Sequence, residues 1–219
     1  MTGRLLMLAL KDDRSYTNLM TRPRRSESTR VALISAGINQ LSINGYHGTG
    51  IKKILDEVNV PKGSFYNFFA SKEAYVAEVI HYYSDGLLKQ LTLFIQEQGE
   101  LLSPLEKLQE INNFSFKKYA NNSFSHSCLI ATLSTDISAD NQMCRQALQA
   151  SVERCLKVIS ALFFQAQQLN EVRDDILPQD LAEFYWTTWQ GALIRMKVIK
   201  DIQAAQCTME TLLKTLSKP

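Results

Sequence analysis

A short run of polar side chains around Phe65 has the composition of a nucleic-acid contact. Lysine, asparagine and tyrosine side chains bind phosphates or base edges, whereas glycine and serine let a backbone approach DNA closely. The run consists of Lys62, Gly63, Ser64, Tyr66 and Asn67. We therefore predict that these residues contact a nucleic acid if the surrounding elements present them together.

A cysteine in the second half of the chain is the other candidate for chemistry. Ser125 or Ser127 can start a helix that has Cys128 in its first turn, and a helix N-terminus lowers the pKa of a thiol. A charged His126, which is close in sequence, would help to lower the pKa of this thiol. The thiolate can add to quinones, aldehydes or maleimides, or be oxidised to a sulfenic acid. Free cysteines are also among the most buried side chains, so a purely structural Cys128 stays an open alternative.

An enzyme is poorly supported. His126 and Cys128 are two residues apart, and such positions do not face each other on a helix. The three histidines, His47, His81 and His126, are scattered without metal-ligand spacing. The sequence therefore predicts no catalytic residue, no metal site and no cofactor.

Composition and charge indicate a soluble protein with a basic N-terminal part. The 219 residues are 45% hydrophobic and 21% charged, and the five prolines and nine glycines are few enough for long helices. No apolar run is long enough to span a membrane. Four cysteines without a CxxC pair indicate reduced thiols and a cytoplasmic location. Residues 22–81 carry a net charge of +3 and residues 82–219 a net charge of −2, which suits phosphate contact at one end.

The polar run lies in a predicted helix-turn-helix. A first helix begins near Ser28, with an apolar stripe, and ends at Gly45. Thr49 is a candidate N-cap for a second helix, and the sequence Asn59-Val60-Pro61 breaks that helix before a third one. The stripe of the first helix consists of Val31, Ile34, Ile38 and Leu41.

Further cations flank this motif. Thr49 and the free amides beside it can hold a phosphate. Three lysines can neutralise further phosphates, namely Lys52, Lys53 and Lys72. Ser71 is the expected cap of a fourth helix.

The remaining sequence is predicted to be helical, in the spans 71–98, 103–120, 128–138, 141–170, 178–200 and 202–216. We therefore expect an all-α fold of about nine helices. The expected organisation is an extension at 1–25, a DNA-binding domain at 26–75 and a sensing and dimerisation domain at 76–219. Met20, which precedes a basic arm, is a candidate true start of translation.

Three motifs within residues 26–75 resemble the DNA-binding domain of the TetR/AcrR family. They are Gly45-Tyr46-His47-Gly48-Thr49-Gly50-Ile51, followed by Ile54, then Val60-Pro61-Lys62-Gly63-Ser64-Phe65-Tyr66-Asn67-Phe68-Phe69, and Ser71-Lys72-Glu73. The resemblance implies a homodimer on a pseudo-palindromic double-stranded DNA operator, with recognition helices in major grooves about 34–36 Å apart. It also implies phosphate contacts by Thr49, Tyr66 and Lys72. The groove-facing positions that it implies are Lys62, Gly63, Ser64 and Asn67.

The C-terminal part resembles one subgroup of that family, the electrophile-sensing NemR-like repressors. The segment Ser127–Ser134 is similar to the subgroup's Gly-Cys-Leu segment, with Ser127 in place of the glycine. The stretch from Trp189 to Lys197 is similar to its dimer helix. The resemblance implies that Cys128 is a sensor and that Lys197 is a basic neighbour that lowers its pKa. A solvated Lys197 is the alternative.

Aromatic residues in this part predict either a ligand pocket or ordinary core packing. The pocket candidates are Phe116, Tyr119, Tyr185 and Trp189. The helix from Leu181 to Lys200 is apolar on more than one side, so we expect it to build the dimer interface with the last helix.

The function expected from these observations is a DNA-binding transcriptional repressor. Release from the operator would follow binding of a small-molecule inducer or modification of Cys128 by an electrophile or oxidant. A reversible drug-binding repressor without thiol chemistry and a DNA-bridging protein are the alternatives.

Overall fold

The chain folds into helices joined by short loops. The computed structural model describes residues 25–99, 101–121, 124 and 128–218. The helices in these ranges are α1 (Arg25–Asn44), α2 (Ile51–Glu57), α3 (Lys62–Phe65), α4 (Lys72–Gln98), α5 (Pro104–Asn121), α6 (Leu129–Asp136), α7 (Gln142–Gln168), α8 (Pro178–Ile199) and α9 (Gln203–Leu216). The all-α prediction is confirmed. The candidate start at Met20 and most of the extension 1–25 lie outside the described residues, and the domain boundaries stay a prediction.

An aromatic core holds α1, α2 and α3 against the start of α4. Phe65 and Phe69 are buried, and the Tyr75 ring stands edge-on to both, with centroid distances of 5.3 and 4.8 Å. The Tyr75 hydroxyl donates to the Leu33 carbonyl oxygen at 2.6 Å. Full burial of a phenylalanine side chain contributes about 1.5–3 kcal/mol to stability, so this core fixes the helices that carry the polar run.

The buried face of α1 differs from the predicted stripe. Ile34 and Leu41 are buried, but Val31 is 40% exposed and Leu33 is buried instead. The reason is that α1 contacts α2, α4 and α6 on different sides. Gly37 faces α4 so closely that an added Cβ would collide with the Tyr75 hydroxyl.

The turn between α2 and α3 forms where the sequence predicts a helix break. α2 ends at Glu57, and Asn59 adopts a left-handed φ of 53°, which asparagine tolerates better than most residues. The Val60 N–H donates to the Leu55 carbonyl oxygen at 3.0 Å. Pro61, with extended backbone, then precedes α3.

The second half of the chain is a bundle in which α4 packs along α7, α7 against α8, and α8 against α9. α5 packs on α7 and α9, and the short α6 contacts α1, α4 and α7. α5 and α8 begin at Pro104 and Pro178, as predicted. None of the helices in the described ranges combines the length and apolarity needed to cross a membrane.

Candidate nucleic-acid interface and buried cavity

Most of the polar run lies on the open side of α2 and α3. Lys52 and Lys53 on α2 are exposed, as are Lys62 and Gly63 on α3. Directly after α3, Tyr66 is 58% exposed. Asn67 is exposed and Ser64 half-buried. A Cβ added at Gly63 would meet nothing within 4 Å, so another surface can approach the backbone at that point.

Thr49 does not point outward with this group. Its side chain is fully buried, and its hydroxyl donates to the Gln40 carbonyl oxygen at 3.2 Å. Gly50, rather than Thr49, is the N-cap residue of α2, and it provides no side-chain cap. The predictions that Thr49 caps α2 and that its hydroxyl contacts a phosphate are therefore not supported, because the hydroxyl instead ties the loop to α1. The Ser71 cap is confirmed, since its Oγ accepts the Ala74 N–H at 3.0 Å.

Lys72 is partly engaged inside the protein. Its Nζ donates to the Tyr46 carbonyl oxygen at 2.6 Å and lies 4.3 Å from the centre of the Tyr46 ring. Burial lowers the pKa of Lys72, and the Asp136 carboxylate opposes that shift. Lys72 therefore holds the loop before α2, in addition to any phosphate it neutralises.

Asp136, at the end of α6, is a functional candidate that the sequence analysis missed. Its Oδ2 accepts the His47 backbone N–H at 3.0 Å. Gly45, with a φ of 69°, lies so near that an added Cβ would collide with the same oxygen. The loop that leads into α2 is thus held by α6, a helix of the C-terminal bundle. No local pattern reveals a contact across 89 residues of sequence.

A cavity of about 120 Å³, partly open to solvent, lies between α4, α5, α7 and α8. Tyr119, Tyr185 and Trp189 line it, in agreement with the pocket interpretation. Phe116 is fully buried but is not among the lining residues, so its predicted pocket role is not supported. The sequence did not predict the α4 wall, which consists of Tyr83, Leu87, Gln90, Leu91 and Phe94.

Cys128 lies behind this cavity. It is fully buried at the N-cap of α6, and the hydroxyl of the cavity-lining Tyr83 donates to its Sγ at 3.8 Å. Burial raises the pKa of the Cys128 thiol, although hydrogen bonds from the backbone of α6 and from Tyr83 and Tyr119 oppose it. The direction is opposite to the predicted lowering because desolvation of the thiolate outweighs the helix N-terminus. His126, Ser125 and Ser127 lie outside the described residues.

Lys197 is not one of the groups that influence the Cys128 thiol. The groups that oppose the rise of its pKa are Ala131, Tyr83, Ile130 and Tyr119. Lys197 lies near the end of α8 and is half-buried. The predicted pairing of Lys197 with Cys128 is therefore not supported.

The other cysteines differ in environment. Cys144 and Cys155 are buried on α7, and burial raises their thiol pKa values from 9.0 to about 11 and about 12. Cys155 lines the cavity. Cys207, on α9, is exposed.

Comparison with known proteins matches both halves of the chain. Residues 33–79 match the family model described as bacterial regulatory proteins, tetR family, and residues 104–212 match the tetracyclin repressor-like C-terminal domain. The chain is 31% identical over 180 residues to the transcriptional regulator AcuR of Cereibacter sphaeroides, covering 81% of each protein. The chain belongs to the TetR/AcrR family. It is a DNA-binding transcriptional regulator, as its relatives in that family are.

Two solved structures of the TetR/AcrR family share this fold. The regulatory protein TetR from Rhodobacter sphaeroides is 28% identical, with a TM-score of 0.80 over 86% of this chain and 98% of that one. Reduced NemR of E. coli is 22% identical, with a TM-score of 0.75 over 87% and 97% of the two chains. The shared fold supports the resemblance to NemR.

Proposed function

We propose that this TetR/AcrR regulator is a cytoplasmic repressor that binds a pseudo-palindromic operator as a homodimer. A small molecule in the cavity, or an electrophile that modifies Cys128, releases it from DNA. One observation carries the proposal: Cys128, hydrogen-bonded to the cavity-lining Tyr83, is the N-cap of α6, and α6 ends at Asp136, which holds the loop before α2.

The DNA contact rests on the exposed side of α2 and α3. Lys52, Lys53 and Lys62 supply positive charge, and Tyr66 and Asn67 supply hydrogen-bonding groups. Because Gly63 leaves the backbone of α3 open, this short helix can enter a major groove. Lysines that neutralise phosphates would make the affinity fall with salt concentration.

An exposed apolar face supports the homodimer. On the outer side of α8, Phe184 is 54%, Ile194 49% and Val198 77% exposed, while Phe164 on the adjacent α7 is 54% exposed. Exposed apolar surface of this kind marks an interaction site. The outward residues of α9 are polar or charged, among them Thr208, Glu210 and Lys214, so α7, rather than the last helix, is the partner of α8 in the proposed interface.

Release follows from a population shift between two arrangements of α6. A ligand that displaces Tyr83 or Tyr119 moves the hydrogen-bond partners of Cys128 at the start of α6. Because α6 is one short rigid element, its other end and Asp136 move with it. An effector favours the arrangement that it binds better, and operator affinity falls by the same coupling free energy.

Electrophile modification of Cys128 is the second route. With a maleimide, the sulfur bonds to one alkene carbon, the C=C π bond breaks, and the other carbon takes up the proton released by the thiol. The raised pKa and full burial of Cys128 make this step slow until the bundle opens. These same properties favour reversible ligand binding as the alternative, which needs no thiolate.

A gel-shift experiment tests the proposal. The probe is the intergenic DNA upstream of the gene, and the proteins are Cys207→Ser and the double variant Cys128→Ser/Cys207→Ser, each with and without N-ethylmaleimide. The Cys207→Ser background removes the exposed thiol. Loss of the shifted band only when Cys128 is present supports the thiol route.

The other outcomes are equally informative. A shift that the reagent leaves intact removes the thiol route and keeps the reversible alternative. Equal affinity for random duplex DNA contradicts a repressor and favours a DNA-bridging protein, since specific binding exceeds non-specific binding by about 10³–10⁷.

A further inference from the structure

The hydroxyls of three tyrosines in the cavity wall are already hydrogen-bonded within the protein. The Tyr185 hydroxyl donates to Asn112 Oδ1 at 2.6 Å, and the Tyr83 hydroxyl donates to Cys128 Sγ. Tyr119 hydrogen-bonds to both Tyr83 and Cys128. A ligand therefore meets phenol groups that already have hydrogen-bond partners, so these three hydroxyls need no strongly polar ligand group to satisfy them.

The interior of the wall carries no charge to balance a charged ligand. Two of the lining residues are charged, Glu110 and Lys118, and both side chains are exposed to solvent on α5. An ionised ligand group inside the cavity would lose its hydration without gaining a buried counter-charge, and that loss is costly. The wall therefore discriminates against carboxylates and ammonium groups.

Apart from Gln90 and Ser115, the remaining wall is mostly aromatic and aliphatic. Phe94 and Phe114 contribute rings from α4 and α5, and Trp186 and Trp189 contribute two stacked rings from α8, with centroids 5.3 Å apart. Rings that surround a cavity favour a planar aromatic guest through edge-to-face and offset contacts. The thiol of Cys155 adds a polarisable surface that also contacts aromatic rings favourably.

The volume limits the size of the guest. The cavity holds about 120 Å³, somewhat less than the engineered apolar cavity of about 150 Å³ that binds benzene. One six-membered ring with small substituents fits this space, whereas two fused rings exceed it unless the wall moves.

We infer that the cavity binds an uncharged aromatic molecule of one ring. The inference rests on the proposed function, in that it names the chemical class of the effector for the same site. It concerns binding to the cavity alone and can be tested without DNA.

The test is thermal unfolding of the full-length protein with three probes: toluene, benzoate and phenanthrene. Toluene at ten times its Kd is expected to raise the Tm by about 3–6 °C, because a ligand that binds only the folded state stabilises it. Benzoate and phenanthrene are expected to leave the Tm unchanged. A shift with benzoate equal to that with toluene overturns the inference on charge, and a larger shift with phenanthrene overturns the inference on size.

Two variants of α4 locate the site. Leu91 lines the cavity, whereas Leu93, on the same helix, is 45% exposed and does not line it. Leu91→Trp is expected to fill the cavity and abolish the toluene shift, and the matched Leu93→Trp variant is expected to keep it. Calorimetric titration with toluene gives a second measurement if Leu91→Trp lowers stability. Loss of toluene binding in both variants, or in neither, overturns the assignment to this cavity.

The outcome is separable from that of the proposed function. If toluene fails to bind wild type while the gel shift still shows specific operator binding, the ligand class is wrong and the repressor proposal stands. If toluene binds but the protein has no operator preference, the cavity assignment stands and the repressor proposal falls.

Discussion

The helix-turn-helix and the cavity place their reactive groups in opposite environments. In the first, lysine, tyrosine and asparagine side chains stand in solvent on a buried phenylalanine core. In the second, the thiol of Cys128 and the phenols of Tyr83 and Tyr119 are buried and hydrogen-bonded to one another. The groups of the first region are accessible to a charged polymer, whereas in the proposed mechanism the second region responds only when a guest or a reagent displaces internal contacts.

The largest expected effect is a difference in stability between alanine substitutions at two adjacent residues, the buried Phe65 and the exposed Tyr66. Phe65→Ala removes a fully buried ring from the helix-turn-helix core and should lower the free energy of unfolding by about 3–5 kcal/mol. Tyr66→Ala, at a position 58% exposed, should change it by no more than about 0.5 kcal/mol. Urea denaturation followed by circular dichroism measures both. Similar losses in the two variants would contradict the division into core and contact residues.

Removing a lysine from the exposed side of α2 or α3 should weaken DNA binding rather than lower the stability of the fold. Lys62→Ala is expected to weaken operator binding by about 1–3 kcal/mol and to relax the preference at one base position. Lys53→Ala should instead weaken binding to all sequences and reduce the salt slope by about 1. Lys214→Ala, an exposed lysine on α9, serves as the control in fluorescence anisotropy titrations. An equal loss with that control would rule out a local contact.

Removing the Asp136 contact, which joins α6 to the loop before α2, should have a smaller effect on DNA binding. Asp136→Ala removes the carboxylate that accepts the His47 N–H, at a cost of about 1 kcal/mol, or roughly fivefold in operator Kd. Binding of toluene to the cavity should not change. Asp140→Ala, an exposed neighbour, is the matched control. If both variants lose the same affinity, net charge rather than the His47 contact is responsible.

Alkaline pH should lower the stability of the buried region through its buried thiols. Burial raises the thiol pKa values of Cys144 and Cys155 from 9.0 to about 11 and about 12. The unfolded chain ionises these thiols at a lower pH than the folded one. Their stabilisation is therefore complete below pH 9 and is lost as the pH rises from 9 to 12.

The measurement is the urea midpoint between pH 8 and 11. The midpoint is expected to fall above pH 9 in the wild type and to fall less steeply in Cys155→Ala. A midpoint that falls equally steeply in both proteins would assign the effect to other groups.

The local features of the helix-turn-helix were readable from sequence because they depend on neighbours along the chain. The helix break at Asn59 to Pro61 and the Ser71 cap need only backbone preferences and a side chain three residues away. Thr49 was assigned wrongly because its partner is a carbonyl of α1, which a threonine beside a helix start does not reveal.

The buried region was less predictable because its properties come from packing. The start of α6 near Cys128 was predicted, but the burial that raises the pKa of this thiol comes from packing, and its partner Tyr83 lies 45 residues earlier in the sequence. Phe116 and Tyr119 lie one helical turn apart on α5, and only the arrangement of α7 and α8 decides which of them faces the cavity. Apolar periodicity predicts a buried face, but it does not predict where that face leaves a void.

The stacked pair on α8 has a practical consequence. Trp186 and Trp189 are the only tryptophans in the sequence, and both lie in the cavity wall. All of the indole emission of the protein therefore originates at this cavity. A guest that contacts either ring changes the intensity or wavelength of that emission with no background from the rest of the chain, so the protein carries its own optical probe for screening effectors.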